Sequence, residues 1–255
     1  NYSVIISLFL SFAIFFRTIF RLKNLNELIK IYLKKLIFFQ FFIILVSFIC
    51  LLILFINSEF SNITVYYNSH TTKPFFYKVS GLWGNHEGSL LLWLLILTFI
   101  NFLYFSRSYS RSTKERLLTV IFQQIIIFGF IAFLIFTSNP FNEIFPSPKE
   151  GLGLNPILQD PLLAIHPPIL YLGYVSTSII FSSGLSSLVM GNVNSNWASH
   201  IKKWILCSWI FLTGGILLGS IWAYYELGWG GFWFWDPVEN ISLMPWISLT
   251  ALLHC

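Results

Sequence analysis

The sequence predicts an all-α integral membrane protein, a polytopic helical bundle of about seven transmembrane spans. Of its 255 residues, 56% are hydrophobic and 10% are charged, and the mean hydropathy is +0.74. A soluble domain carries about 25% charged residues, so the composition excludes that class. One span needs about 20 apolar residues, and the length therefore accommodates about seven spans with their loops. We expect a single membrane domain over residues 1–255.

Long apolar runs mark the expected spans. They cover residues 2–20, 36–56, 89–106, 117–137, 168–190 and 204–225, with a shorter last run at 241–255. None of them alternates apolar with polar residues, which favours helices over the strands of a membrane barrel. A last helix starting at Ile241 would cover about 21 Å of a hydrocarbon core about 30 Å thick. We therefore expect the last span to be truncated.

The basic residues fall mainly on one side of these spans. The connections after the first, third and fifth spans contain twelve, whereas the opposite connections contain three, Lys73, Lys78 and Lys149. The twelve are Arg17, Arg21, Lys23, Lys30, Lys34, Lys35, Arg107, Arg111, Lys114, Arg116, Lys202 and Lys203. Cytoplasmic loops are enriched in Lys and Arg, so the connection at 226–240 is expected to face outward. Because these residues flank spans, we expect the lipid membrane and no nucleic acid as their partner.

The outward connection at residues 226–240 reads E-L-G-W-G-G-F-W-F-W-D-P-V-E-N. Its three tryptophans, Trp229, Trp233 and Trp235, supply large flat apolar faces, each with one N–H donor. The glycines between them permit tight turns and a close approach of the backbone. Such a loop suits a flat, largely apolar ligand such as a porphyrin. The alternative is an aromatic belt, since Trp and Tyr gather at any membrane–water boundary.

Three stretches of the sequence resemble one family of membrane proteins. Trp229, Gly230, Trp233, Trp235 and Asp236 match W-G-x-x-W-x-W-D, which is similar to the tryptophan-rich WWD signature of heme-handling proteins in cytochrome c maturation. The extension W-D-P-V-E-N resembles the CcmF family, the heme lyase subunit of that system. So do L-W-G-N-H-E-G-S-L-L-L-W at 82–93 and L-N-P-I-L-Q-D-P-L-L-A-I-H-P-P-I-L-Y-L-G-Y at 154–174. The resemblance covers nearly the whole chain but only the N-terminal part of the family.

Two histidines are candidate iron ligands, because heme iron is usually held by imidazole. His166 lies at the outer boundary of the fifth span, where a hydrogen-bonded interfacial role is the alternative. His254 lies about 20 Å below that boundary, where ionisable residues are functional candidates and a packing histidine is the alternative. The resemblance implies that His166 is an axial ligand of a transient heme at the tryptophan loop, and that His254 is one ligand of a membrane-embedded heme b. His86, beside Glu87, is expected to contact a heme propionate or the substrate.

The resemblance implies the chemistry of a cytochrome c heme lyase, in which two cysteine thiols of an apocytochrome add across the heme vinyl groups. Trp229, Gly230, Trp233, Trp235 and Asp236 would hold the heme, and no residue is assigned as catalytic. Expected partners are a second CcmF-type polypeptide completing the protein, a heme chaperone, and apocytochrome c with its thiol-handling factors. Two alternatives are a heme transporter or loader of the WWD class that makes no covalent bond, and a non-catalytic scaffold subunit.

Amino-acid usage suggests where the chain operates. With 28 Phe residues and abundant Ile and Asn, it is typical of A+T-rich organelle genomes. We therefore expect the mitochondrial inner membrane, with the tryptophan loop facing the intermembrane space. The alternative is a bacterial plasma membrane, with the loop facing the periplasm.

Overall fold

The computed structural model describes residues 2–22, 27–107, 112–228 and 231–255 of the chain. Within these ranges the backbone forms nine α-helices and one 3-10 turn, Pro156–Leu158, and no strand. The helices are α1 (Tyr2–Arg21), α2 (Glu27–Asn57), α3 (Ile63–Asn68), α4 (Phe75–Gly81), α5 (His86–Arg107), α6 (Thr113–Phe136), α7 (Pro161–Met190), α8 (Ser195–Glu226) and α9 (Pro237–His254).

Six of these helices are long and apolar enough to cross a membrane, namely α1, Lys30–Asn57 of α2, α5, α6, α7 and α8. The expectation of an all-α, polytopic membrane bundle is therefore confirmed. The seventh apolar run is also helical, as α9, with 18 residues. It is not among the six because Glu239, Asn240 and His254 at its two ends lower its hydropathy.

Capping side chains start α7 and α8 well before the apolar runs that mark these spans. The Asp160 carboxylate accepts hydrogen bonds from the backbone N–H groups of Leu162 and Leu163, so α7 begins at Pro161 and not near residue 168. The Asn194 side chain caps α8 in the same way, and α8 begins at Ser195, nine residues before the apolar run at 204. His166 consequently lies in the second turn of α7, inside the helix and not at its start.

Helices α7 and α8 approach each other backbone to backbone. A Cβ atom at Gly173 would lie 2.3 Å from the backbone nitrogen of Leu212, and one at Gly215 would lie 2.5 Å from the Cα of Leu170. No side chain fits at either distance, so both positions require glycine. The two contacts occur in opposite order along the two helices, which are therefore antiparallel. Small residues permit this approach, which compensates for the weak hydrophobic driving force between helices in lipid.

Amide and hydroxyl side chains tie the buried helix faces together. The side-chain oxygen of Gln124 on α6 accepts from the Ser11 hydroxyl of α1 at 2.7 Å and from the Gln40 amide of α2 at 3.3 Å. The Gln124 amide donates back to the Gln40 oxygen at 2.9 Å. Next to it, Gln123 accepts from Ser182 of α7 at 3.0 Å. Because lipid offers no hydrogen-bond partners, these contacts keep four spans in register.

A reciprocal pair of indole–hydroxyl bonds joins α8 to α9. Trp209 donates from Nε1 to the Thr250 hydroxyl at 2.9 Å, and Trp246 donates to the Thr213 hydroxyl at 2.8 Å. The two indole rings stack with centroids 6.1 Å apart and an interplanar angle of 24°. Both tryptophans thus bury their polar atoms in the interface, and α9 is held alongside α8.

One end of the bundle, here called the loop end, is formed by segments 58–85, 137–160 and 231–236. A partly buried hydrogen bond there joins two of the sequence motifs. Pro168, inside α7, has no N–H to donate to the Ala164 carbonyl one turn earlier. Trp83 supplies the missing donor, with its Nε1 at 2.9 Å from that oxygen. The motif around Trp83 therefore replaces one of the two N–H donors that the prolines remove from the helix that carries His166.

The side chain of Asn85 closes the turn before α5. Its Oδ1 accepts from the backbone N–H of Gly88 at 2.7 Å, and its Nδ2 donates to the carbonyls of Gly81 and Leu82 at 2.7 and 3.0 Å. One side chain therefore satisfies three backbone groups of this turn.

The close approach of α7 and α8 predicts the effect of a single methyl group. Gly173→Ala places a carbon against the Leu212 backbone and should destabilise the protein by about 1–3 kcal/mol, the usual range for overpacking. Gly184→Ala in the same helix is the matched control, because a Cβ there meets no atom within 4 Å. Thermal unfolding of the detergent-solubilised protein measures both variants. Equal melting temperatures for the two would contradict the close packing.

The Trp83 bond predicts a double-mutant effect. Trp83→Phe removes the donor to the Ala164 carbonyl and should cost about 1–3 kcal/mol, the range for an unpaired buried polar group. In a Pro168→Ala background the same change should cost less, because the restored backbone N–H can bond to that carbonyl within the helix. The comparison uses thermal unfolding of all four proteins, and an identical cost of Trp83→Phe in both backgrounds would refute the assignment.

Candidate functional site

A cavity of about 80 Å³ lies at the loop end, where three helices meet. His166 contributes from the second turn of α7, Gly219 and Trp222 from the end of α8, and Trp233 and Asp236 from the loop before α9. The predicted ligand His166 and two residues of the predicted tryptophan loop are therefore brought together, although they are about seventy residues apart in sequence.

The imidazole of His166 is held in one tautomer by its own helix. Its Nδ1 lies 3.2 Å from the carbonyl oxygen of Leu162. A carbonyl can only accept a hydrogen bond, so Nδ1 carries the proton and Nε2 keeps a lone pair free. Gly219 leaves room at that edge, since a Cβ there would lie 3.5 Å from Nε2. The ring of Trp222 lies nearly parallel to the imidazole, with centroids 6.1 Å apart and an interplanar angle of 28°.

Two unpaired donors line the same cavity. The indole nitrogens of Trp222 and Trp233 are buried, and neither has a hydrogen-bond partner among the described residues. A buried N–H without an acceptor costs about 1–3 kcal/mol. The cavity thus presents one nitrogen lone pair and two N–H groups that a ligand with acceptor atoms could satisfy.

The tryptophan loop is shaped by the start of α9. Asp236 and Glu239 form a capping box, and Glu239 also accepts from the backbone N–H of Phe234 at 2.8 Å. The Asn240 amide donates to the carbonyl of Trp235 at 2.9 Å. These bonds hold Trp235 at a φ of 62°, in the left-handed region that non-glycine residues rarely adopt. The sequence W-D-P-V-E-N is thereby explained as a helix start that fixes the loop.

The fixed loop presents one tryptophan inward and one outward. Trp233 lines the cavity, whereas Trp235 is 69% exposed and meets the Trp233 ring edge-on, with centroids 6.0 Å apart and an interplanar angle of 85°. Phe232 stacks on Tyr224 at the end of α8, with centroids 4.4 Å apart. The loop therefore has a packed side and an open aromatic side. Trp229 and Gly230, which are predicted to bind heme, lie outside the described residues.

His254 and His86 lie apart from this cavity. His254 is exposed near the end of α9, and its Nδ1 lies 2.8 Å from the Thr250 carbonyl, so its Nε2 is free in the same way as that of His166. His86 is exposed at the start of α5, with Nε2 3.0 Å from the Ser138 hydroxyl. Their predicted roles as an embedded-heme ligand and an outer-side contact stay predictions.

Sequence reasoning missed Gly219 and Trp222. Both lie inside the apolar run of α8 and carry no polar pattern that would distinguish them from lipid-facing residues. One signal was present, because Gly215, Gly219 and Trp222 recur at helical spacing and so share a face of α8. Recognising that this face meets His166 required knowledge of how α7 and α8 pair.

The described side chains suit a metal that is bound inside a larger ligand better than they suit a bare metal ion. In the ranges that the structure describes, no three His, Cys, Asp or Glu side chains are grouped closely enough to hold a bare ion. Heme iron needs only axial ligands from the protein, since the macrocycle supplies the other four nitrogens. A single imidazole beside indole rings is therefore compatible with heme.

Comparisons with known proteins agree with this chemistry. A family model described as cytochrome C assembly protein matches residues 83–255. The chain is 51% identical over 216 residues to the cytochrome c-type biogenesis protein CycK of Rhizobium meliloti, covering 84% of this chain and 32% of that protein. It is 43% identical over 257 residues to the cytochrome c-type biogenesis protein CcmF of Haemophilus influenzae, covering 100% of this chain and 39% of that protein.

A solved structure gives the same relationship. The chain superimposes on the cytochrome c heme lyase CcmF with a TM-score of 0.85 and 26% sequence identity, over 100% of this chain and 40% of that one. The chain spans about a third of the length of the curated relatives it matches, with shares of 29% to 39%. Because the family model covers more than half of its residues, the chain belongs to the cytochrome C assembly protein family.

Proposed function

We propose that this chain is the heme-holding part of a cytochrome c heme lyase and presents heme for covalent attachment to apocytochrome c. The observation that carries the proposal is the free Nε2 of His166, which lines one cavity with the unpaired indole N–H groups of Trp222 and Trp233. Relatives named for cytochrome c-type biogenesis and a solved structure named as a heme lyase support it.

The size of the cavity limits how heme could be held. At about 80 Å³ it is smaller than the 300–1,000 Å³ of pockets that enclose ligands. It can receive the edge of a ligand but cannot enclose a macrocycle. The open aromatic side of the loop, where Trp235 is exposed, would therefore supply remaining contact area.

The contribution of the protein to the reaction is positioning. Heme supplies the vinyl groups to which the cysteine thiols add. His166 would hold the iron through Nε2, and the Leu162 carbonyl fixes the orientation of its ring. Asp236 and Glu239 keep the tryptophans in place by capping α9. No acid or base is required for this role, because holding two reactants in a productive orientation by itself lowers the barrier.

We further propose that His254 is one axial ligand of a second, membrane-embedded heme b. Its exposed ring on α9 faces away from the described bundle, and its free Nε2 is oriented by the Thr250 carbonyl. It lies about 26 Å along the helix from Pro237, deep in the hydrocarbon region. An imidazole at such depth requires a partner. That partner would come from a helix that is not among the described residues.

The site is proposed to face the compartment where c-type cytochromes are assembled. The basic residues lie overwhelmingly at the end opposite the tryptophan loop, which by the positive-inside rule is the inner side. A heme chaperone, apocytochrome c and its thiol-handling factors would then reach the loop from the outer side of an inner membrane. The named relatives are bacterial, whereas the amino-acid usage favours a mitochondrial membrane, and the loop end faces outward in both cases.

The two histidines predict different changes in the visible spectrum. In the purified complex containing this chain, His254→Ala should abolish the dithionite-reduced b-type absorbance, because it removes an iron ligand. His166→Ala should leave that absorbance but prevent heme from being retained at the loop. His200→Ala, near the start of α8 and outside the cavity lining, is the control and should match the wild type. A well-folded wild-type complex without heme, or one whose spectrum is unaffected by either change, would refute both assignments.

The loop tryptophans separate a heme site from a scaffold. Replacing Trp233 and Trp235 together by Ala should lower the yield of holocytochrome c by about thirty-fold, the factor that corresponds to roughly 2 kcal/mol of lost aromatic contact. The b-type absorbance should be retained, since the spans are intact. Phe145→Ala, another exposed aromatic at the loop end, is the matched control. Normal holocytochrome yield from the double variant would favour a scaffold, and loss of yield with normal heme transfer to the chaperone would favour a loader.

A further inference from the structure

A second, larger cavity lies at the loop end and shares no residue with the His166 cavity. It has a volume of about 310 Å³ and lies between the connection of α3 to α4 and the segment that leads into α7. Its lining includes His70, Lys73 and Gln159. Exposed residues at 72 and 74 form its rim, so it is open to solvent.

Lys73 is an unusual lysine for a loop, because it is only 7% exposed. Its Nζ donates to the carbonyl oxygen of Asn68 at 3.0 Å. Gly81 makes room for the ammonium group, since a Cβ there would lie 2.9 Å from Nζ. An ammonium has three N–H donors, and the Asn68 carbonyl occupies one of them. Among the described residues no carboxylate pairs with Lys73.

An acidic side chain on the facing segment, Glu150, is already satisfied. The carboxylate of Glu150 accepts from the backbone N–H and the hydroxyl of Thr71 at 3.0 and 2.6 Å, and from the N–H of Gly151 at 3.1 Å. The Thr71 hydroxyl bond holds the pKa of the Glu150 carboxyl below its ordinary value. Glu150 does not line the cavity.

The ammonium of Lys73 is thus a buried charge with no counter-ion. Burial, with a smaller contribution from the neighbouring Lys78 charge, lowers the pKa of Lys73 to about 8. At pH 7 roughly nine in ten molecules still carry the charge. A buried charge is costly unless it is paired.

His70 offers a second donor at the same cavity. The backbone N–H of Thr72 donates to its Nδ1 at 3.3 Å, so Nδ1 is the acceptor and Nε2 carries the hydrogen. That Nε2 lies 3.9 Å from the nearer Glu150 oxygen, too far for a hydrogen bond. Lys73 and His70 therefore both line the cavity with donor capacity that no described residue fully uses.

We propose that this cavity binds a small carboxylate-bearing molecule, with the Lys73 ammonium as counter-charge and His70 as second donor. The volume lies at the low end of the range for ligand pockets and suits a small carboxylic acid. A single lysine is a point charge that matches one carboxylate, whereas a phosphate site is usually built with an Arg fork or several backbone N–H groups. The cavity has no arginine in its lining.

The test is titration of succinate into the detergent-solubilised complex at pH 7 and constant ionic strength, followed by calorimetry. Wild type and Lys78→Met should bind succinate saturably, and Lys73→Met should bind it at least ten-fold more weakly. Lys78→Met is the matched control, because its Nζ bonds to the Ser58 hydroxyl and does not line the cavity. Equal affinity in Lys73→Met and wild type, or tighter binding of inorganic phosphate than of succinate, would overturn the proposal.

The pH dependence of the wild type provides a test that needs no variant. Succinate binds the protonated lysine, so affinity should be nearly full at pH 7 and fall as the pH rises through about 8. Other ionisable groups near Lys73 are His70 and Lys78 on the same segment and Glu150 on the facing one. Because the Lys78 charge lowers the pKa of Lys73, Lys78→Met should move the loss of succinate affinity to higher pH. Affinity that is independent of pH between 7 and 9 would contradict the role of Lys73.

A heme propionate carries the same chemical group as succinate, and a further measurement distinguishes the two sources. Only this measurement rests on the proposed function. Succinate binding is compared in heme-free and heme-loaded complex. Loss of succinate binding on loading identifies a propionate as the occupant, whereas unchanged binding identifies a free carboxylate from the outer compartment. Absence of saturable binding in the heme-free complex rejects the site without affecting the heme assignment.

Discussion

The close approach of α7 and α8 is the contact on which the candidate site depends. Successive turns of the two antiparallel helices face each other in fixed pairs. These pairs are His166 with Gly219, Leu170 with Gly215, Gly173 with Leu212, and Ser176 with Ser208. The glycines bring the helix axes together, and the imidazole lies in the same row one turn beyond the last of the tight contacts. Its position over α8 therefore follows from backbone packing deeper in the membrane.

The two proposed iron ligands are oriented by the same kind of local hydrogen bond. In both His166 and His254, Nδ1 lies within hydrogen-bonding distance of the carbonyl four residues earlier, which leaves Nε2 free. The helix itself thus selects the tautomer without a carboxylate from another element. The difference lies in the surroundings, since one ring lines a cavity among tryptophans and the other is exposed on the bundle surface.

Much of the fold could be predicted from sequence because membrane insertion depends on local hydropathy. The six spans were identified by their apolar runs, whereas the early start of α7 depends on the Asp160 cap. The bond from Trp83 to Ala164 joins residues 81 positions apart, and no local pattern could reveal it. The burial of Lys73 is likewise tertiary, because in the sequence it resembles any other basic loop residue. The heme roles of all the site residues, including Trp229 and Gly230, stay predictions from the resemblance.

The reciprocal Trp209–Thr250 and Trp246–Thr213 bonds affect how the tryptophan loop would respond to a docking protein. They join α8 to α9 below the loop, so the two ends of the loop are attached to helices that are bonded to each other. A partner that binds the loop would therefore contact a short segment and would not separate the two helices. Little binding free energy would be lost to rearrangement of the scaffold, which is the thermodynamic advantage of a preorganised docking surface.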